Sequence, residues 1–205
     1  MNKSKPSDLT TRARIRNAAL KLFGEYGIRA TSIRKIAKAA GVSAGLVQHH
    51  FRTKRALENE VAGYVRAKMA ELAQVEPEPG KARGTLTLGA ALVEFIRENP
   101  EVVAYVRRVI LEDSPAGRSL LGSMLSLSRS LNDLLRQHSL LRDDLDADWT
   151  IFNTMILVLG PLLFEHAVDR HLGVPLRSNE GLARWDAAVE DLLVRGIYRR
   201  SRHRE

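Results

Sequence analysis

Apolar positions recur along this chain at intervals of three and four almost throughout, and no segment alternates with a period of two, so the pattern predicts helices and no strands. Ile15, Ala19, Leu22, Phe23 and Tyr26 form a first stripe, closed by Gly24 and Gly27. Thr31 is placed to cap a short helix over Ser32 to Ala40, in which Ile33, Ile36, Ala37 and Ala40 share one face and which Gly41 ends. Ser43 is the next cap, opening a very short helix to about Phe51. A long helix follows from about Thr53 to Gln74, with Leu57, Val61, Tyr64, Val65, Met69 and Leu72 turned inward.

Glu76 to Gly84 (EPEPGKARG) is the clearest interruption, since two prolines and two glycines stop a helix. Five more helices are expected beyond it. One spans about Thr85 to Glu98, ending at Asn99-Pro100, and another covers Glu101 to Leu111. Ser114-Pro115 is a helix start in the expected order, and that helix runs to about His138. Asp146 or Asp148 caps a helix to about Leu172 with a kink at Pro161, and Asn179 caps the last, Glu180 to Tyr198, ahead of a basic tail.

Charge changes this picture once it is divided. The 205-residue chain carries a net +8, yet residues 1–55 hold 13 Lys/Arg against only Asp8 and Glu25, a net +11, which leaves −3 for residues 56–205. Positive charge concentrated on one small module is the footprint of a polyanion binder, whether DNA, RNA or an anionic membrane surface. The chain has no cysteine, which excludes disulfides and thiolate metal sites and suits a reducing cytoplasm. Met1 to Thr10 lacks an apolar signal region, and the longest apolar stretch, Met155 to Phe164, is too short to span a bilayer. A cytoplasmic protein without membrane partner is expected.

The strongest local signal is TSIRKIAKAAGVSAGLVQHHF, Thr31 to Phe51. A helix-turn-helix (about 32–51) needs a first helix with an apolar inner face, a tight turn where glycine tolerates positive φ, and a second helix with few core residues. Ile33, Ile36 and Ala37, then Gly41-Val42, then Val47 and Phe51 supply those parts. Ala44, Gly45, Leu46, Gln48, His49 and His50 are left to face outward or sit at the rim, ready for a major groove. An ordinary helical hairpin explains the stripe, caps and glycine, but not their place inside the +11 segment.

Residues from about Arg12 to Leu57 resemble the N-terminal domain of the TetR family of repressors. Leu22-Phe23-Gly24-Glu25-Tyr26-Gly27-Ile28-Arg29-Ala30-Thr31-Ser32 is similar to that family's phrase LFxxxGxxxTS. Ile36-Ala37, Ala40-Gly41-Val42-Ser43, Gly45, Phe51, Lys54 and Leu57 are similar to its IAxxAGVSxGxxxxxFxxKxxL. The resemblance covers about a quarter of the chain. It implies an all-α protein: a three-helix DNA-binding domain (1–55), joined by a long helix to a helical ligand-binding and dimerisation domain (56–205). It further implies a homodimer on double-stranded DNA, released from a palindromic operator by a small-molecule effector, with no cofactor and no catalytic residue.

The resemblance assigns Lys54 to phosphate, and Thr31 and Ser32 to capping the second helix and touching the DNA backbone; Arg34 and Ser43 join the same candidate surface. Family members usually carry Tyr where this chain has Gln48 and His50, and a small polar residue at Leu46, so base preference is not carried over. By chemistry Gln48 suits a bidentate contact to adenine, His49 or His50 a phosphate or guanine, and Leu46 a thymine methyl. Lys3, Lys5, Arg12 and Arg14 form either an arm against phosphate or the minor groove, or a solvated tip.

In the last helix Leu182, Trp185, Val189, Leu192, Leu193 and Gly196 make one stripe, while Trp149, Phe152, Met155, Ile156, Leu159, Leu162 and Leu163 leave the preceding helix apolar nearly all round. Such a helix needs cover from two directions, and the resemblance implies dimerisation through the last two long helices; Leu159, Leu163, Trp185, Val189, Leu192 and Leu193 are the candidate interface. Candidates for an effector pocket are Tyr105, Trp149, Phe152, Asn153, Phe164 and His166, with Glu94, Arg97, Arg107 and Arg108 as possible charged contacts, although plain core or surface suits each of them as well.

An enzyme is disfavoured: His166 and His171 are five apart rather than the four that aligns two metal ligands, and no GxSxG, GxGxxG or P-loop string occurs. The alternatives left open are a ligand-independent or architectural DNA binder, and a basic protein at a membrane surface, for which the first helix partly qualifies.

Overall fold

The computed structural model describes residues 6–72 and 84–197, in ten helices and no extended strand among the described residues. They are α1 (Pro6–Tyr26), α2 (Ile33–Ala40), α3 (Ala44–His50), α4 (Lys54–Glu71), α5 (Gly84–Glu98), α6 (Pro100–Leu111), α7 (Pro115–Gln137), α8 (Ala147–Leu163), α9 (Glu165–Leu172) and α10 (Asn179–Gly196). Most of the proline- and glycine-rich interruption (76–83), Lys3 and Lys5 of the expected arm, and the basic tail from Tyr198 lie outside the described residues. No single described helix is long and apolar enough to cross a membrane.

The chain forms two compact units, Met1–Met69 with Asn99–Leu120, and Ala70–Glu98 with Leu121–Glu205. These packing units are cut differently from a division at residue 55, because most of α4 and all of α6 belong with the first three helices.

In the first unit α1 is the central element. Ile15, Ala19 and Phe23 recur every fourth residue and are fully buried, joined by Ile36, Val47, Leu57, Val61 and Val65 from α2, α3 and α4. Each such aliphatic or aromatic side chain removed from water contributes roughly 2–3 kcal/mol. α6 lies against α1 at Gly24, where an added Cβ would sit 3.0 Å from the Tyr105 nitrogen and 3.2 Å from Ala104. Arg108 closes this contact by donating to the carbonyls of Gly24 (3.4 Å) and Glu25 (2.6 Å), the last unpaired acceptors of α1. Tyr26, assigned to the first stripe by spacing, is instead exposed at the end of α1, where the Lys35 ammonium lies 5.3 Å from the centre of its ring.

In the second unit, Leu141 and Leu193 are buried together, with Leu135, Leu140, Leu157, Val189 and Ile197 packed around them. Asp146 caps α8 by accepting from the Trp149 N–H at 2.9 Å. The expected single helix to Leu172 is two helices, broken at Phe164 and bent by 75°. Pro161 has no N–H to give the Leu157 carbonyl, so the last turn of α8 is weakened, and the chain breaks three residues on. The indole N–H of Trp185 on α10 takes up that Leu157 carbonyl at 3.4 Å.

Two caps fall one residue from where the sequence placed them. Ser32, not Thr31, caps α2, accepting from Lys35 N–H at 3.2 Å. Ser178, not Asn179, caps α10, accepting from Gly181 N–H at 3.0 Å. In each case two adjacent residues have capping chemistry, and only the one with extended backbone (ψ near 156–159° for both serines) has its oxygen over the open amides.

Candidate nucleic-acid interface

The helix-turn-helix is assembled by three local devices. Gly41 ends α2 with φ of 64°, its N–H reaching the Lys38 carbonyl at 3.2 Å, while Val42 N–H reaches Ala37 at 3.0 Å. These two bonds are a Schellman closure, which satisfies carbonyls the helix leaves open and requires the left-handed conformation that glycine adopts without strain. Ser43 then caps α3 through the Leu46 N–H at 3.1 Å. Finally Val47 and Phe51 are buried in the unit, and they fix which face of α3 turns in.

That leaves Gly45, Leu46, Gln48 and His49 exposed on α3, with Ala44 and His50 half-buried at its edges. The imidazoles of His49 and His50 meet edge to face with centres 5.5 Å apart. Ser32 and Arg34 are exposed at the start of α2, and Ser43 on the turn. The structure thus brings most of the predicted reading residues onto one short helix and the turn before it.

Two predicted contacts are internal in the structure. Thr31 is buried, and its hydroxyl donates to the carbonyls of Gly27 at 2.8 Å and Leu22 at 3.2 Å, plugging the loop between α1 and α2. Lys54, half-buried at the start of α4, donates to the Ile28 carbonyl of the same loop at 2.6 Å. An ammonium has three N–H bonds, so this contact leaves capacity for a phosphate.

The arginines of α1 have structural roles that sequence reasoning missed. Arg14 donates to Ala40 O at 2.6 Å, at the end of α2. Arg12 donates to His50 O at 3.3 Å, pairs with Glu60 at 2.6 Å and lies 4.5 Å from the centre of the Phe51 ring. Arg16 stacks on Tyr64 at 3.9 Å, beside an open groove of about 480 Å³ between α1 and α4. Nothing local marks these arginines out from those that face solvent; their partners are tens of residues away.

The effector candidates fall in both units. Tyr105 belongs to the first unit, where it is 1% exposed; its hydroxyl has no hydrogen-bond partner among the described residues, and burial, with Glu58 adding to it against an opposing Arg66, pushes its pKa up to about 12. Trp149, Phe152 and Asn153 lie on an exposed face of α8, with the two rings 6.4 Å apart. Phe164 and His166 are exposed at the α8–α9 break. Of the interface candidates, Leu159 and Leu193 are buried, Leu163, Trp185 and Val189 half-buried, and Leu192 is 58% exposed. Ile156, outside the predicted site residues, is 57% exposed and continues the Trp149–Phe152 stripe at helical spacing, a signal the i, i+3, i+7 pattern already carried.

Residues 15–61 match the family described as bacterial regulatory proteins, tetR family. A transcriptional regulatory protein of Mycobacterium tuberculosis, RaaS, is 49% identical over 59 residues, 29% of this chain and 27% of that protein. A transcriptional repressor of the same organism, Rv1474c, is 29% identical over 140 residues, 67% of this chain and 72% of the relative. The aligned stretch thus spans only about a quarter of the first relative. Among solved structures, a transcriptional regulator from Saccharomonospora viridis in complex with choline superposes with a TM-score of 0.70 at 19% identity, covering 94% of this chain and all of that one, a likeness of fold.

Proposed function

We propose that the chain, whose residues 15–61 match the tetR family of bacterial regulatory proteins, is a homodimeric transcriptional repressor of that family which leaves a palindromic DNA operator when a small molecule binds. The observation that carries this reading is α3: two buried anchors hold it, and Leu46, Gln48 and His49 stand outward from a module of net +11. In this reading Gln48 reads a base, Leu46 meets an apolar base edge, and Ser32, Arg34, Ser43 and Lys54 hold phosphate. Residues 1–55 read DNA and 56–205 bind effector and partner, a division of roles rather than of packing. The protein works in the cytoplasm, with the duplex.

The dimer uses the face of α8 that carries Trp149, Phe152 and Ile156, together with Leu192 of α10. Leu159 continues the same stripe but is buried, and Leu193 belongs to the core cluster around Leu141. A two-fold pair of heads demands a near-palindromic site. An effector releases DNA by binding the DNA-incompetent arrangement more tightly; the choline held by a neighbour of the same fold supports a small molecule in that role.

Selection of bound sequences from random duplexes by the purified protein tests this. A palindromic consensus, and an affinity that falls steeply with salt as counterions are released, are the expected results. Gln48→Ala then relaxes preference at one position per half-site and leaves the others intact. Failure to enrich any sequence at physiological salt removes the reading. A melting temperature that no metabolite in a broad panel raises removes its effector part and leaves a ligand-independent binder.

A further inference from the structure

We propose that Arg12 is a positioning residue for DNA reading: from the surface of the head, where its side chain is 45% exposed, it spends its guanidinium on clamping the end of α3 and not on phosphate. The inference rests on α3 being the reading helix. One guanidinium bonds the carbonyl of the last residue of α3 (His50, 3.3 Å), pairs with the Glu60 carboxylate of α4 (2.6 Å) and covers the ring of Phe51, which follows α3 (4.5 Å). Two residues on, Arg14 does the same for α2 through Ala40 O (2.6 Å) and Gly41 O (3.4 Å). Both helices of the motif are therefore held at their C-terminal ends by α1.

The chemistry suits the place. The last carbonyls of a helix are unpaired and carry partial negative charge, so a cation there is stabilised. A planar guanidinium bonds a carbonyl, pairs with a carboxylate and stacks on a ring at once, which an ammonium does not. α3 has only seven residues, far below the length at which a helix holds itself, and its buried anchors are Val47 and Phe51. Arg12 fixes the end that carries His49 and His50. It also gives Glu60 a reason to be there: a carboxylate on a DNA-binding head repels phosphate, unless it serves to hold an arginine against the end of α3.

The test uses the full-length protein, a duplex chosen by the selection above and a scrambled duplex of equal length, with anisotropy titrations across a salt series. Arg12→Gln is expected to lower the ratio of selected to scrambled affinity roughly tenfold, the scale of one charge-assisted hydrogen bond, with the slope of log affinity on log salt unchanged. Glu60→Gln lowers the same ratio while affinity for scrambled DNA holds or rises, since an acid has been removed. Arg12→Lys, which keeps the charge and loses the fork, does not restore the ratio. The proposal is overturned if Arg12→Gln weakens both duplexes alike and flattens the slope by about 0.9 per subunit, the mark of a lost phosphate contact, or if Arg12→Lys behaves as wild type. Should Arg12→Gln fail to fold by circular dichroism, the Glu60→Gln ratio decides. A wild type that prefers neither duplex sinks the DNA reading itself; a wild type that discriminates beside an Arg12→Gln that also discriminates sinks this inference alone.

Discussion

Among the described residues, arginines close the ends of four helices: Arg108 at α1, Arg14 at α2, Arg12 at α3, and Arg142 at α10 through Gly196 O at 3.1 Å. Each satisfies carbonyls that the helix leaves open, and each brings a charge to the negative end of the peptide dipole. Within residues 1–55 this engages Arg12 and Arg14 with backbone carbonyls, although both side chains stay exposed. Tyr105 is the opposite case, a buried hydroxyl without a partner among the described residues. Its pKa of about 12 lies above the ordinary value of 10, because burial penalises the phenolate. The folded state holds that proton more tightly than the unfolded chain does. The resulting stability is complete below about pH 10 and is lost as pH rises through 12. Tyr105→Phe is expected to be at least as stable as wild type at neutral pH, since nothing is left unpaired. Between pH 10 and 12 it should lose less stability than wild type, by roughly 2–3 kcal/mol, in urea titrations at each pH. A variant that unfolds earlier at neutral pH would show that the hydroxyl has a partner.

At the scale of elements, the helix-turn-helix was legible in advance. Its devices are local: a left-handed glycine, a serine over open amides and two apolar anchors at helical spacing. The caps at Thr31 and Asn179 were misplaced by one residue for a reason no local rule contains. Thr31 is drawn inward to the carbonyls of Gly27 and Leu22, and that leaves the neighbouring Ser32 to cap. The α8–α9 break has the same character. A proline inside a helical pattern announces a kink but neither its size nor its place: the 75° bend falls at Phe164, and the Leu157 carbonyl that Pro161 frees is taken up by the Trp185 indole. A double-mutant cycle measures this. Trp185→Phe should cost about 1 kcal/mol more in the wild-type background than in Pro161→Ala, whose new backbone N–H takes up the Leu157 carbonyl in place of the indole. Equal costs in both backgrounds would mean that the indole bond is incidental.

For the whole molecule, the decisive feature is the apolar face of α8, where Trp149 is 65% and Ile156 57% exposed. Surface of this kind, contiguous along one helix, marks an association site. Ile156→Asp is expected to give a folded monomer by sedimentation velocity, with the subunit dissociation constant raised by about two orders of magnitude or more, as for a central interface anchor. Binding to a palindromic duplex should weaken with it, while a single half-site is bound as before. A variant that stays dimeric moves the interface elsewhere.

Helix content, the start and end of the reading helix, and the net excess of positive charge in residues 1–55 followed from the chain alone, because periodicity, capping chemistry and charge are properties of neighbours in sequence. Which arginines take up backbone carbonyls, which of Thr31 and Ser32 caps, and which of the apolar residues of α8 and α10 are core and which are surface were decided only on folding. The cap turned on carbonyls four and nine residues back, the others on groups brought together from tens of residues apart, and neither kind of contact leaves a periodic trace in the segments it joins.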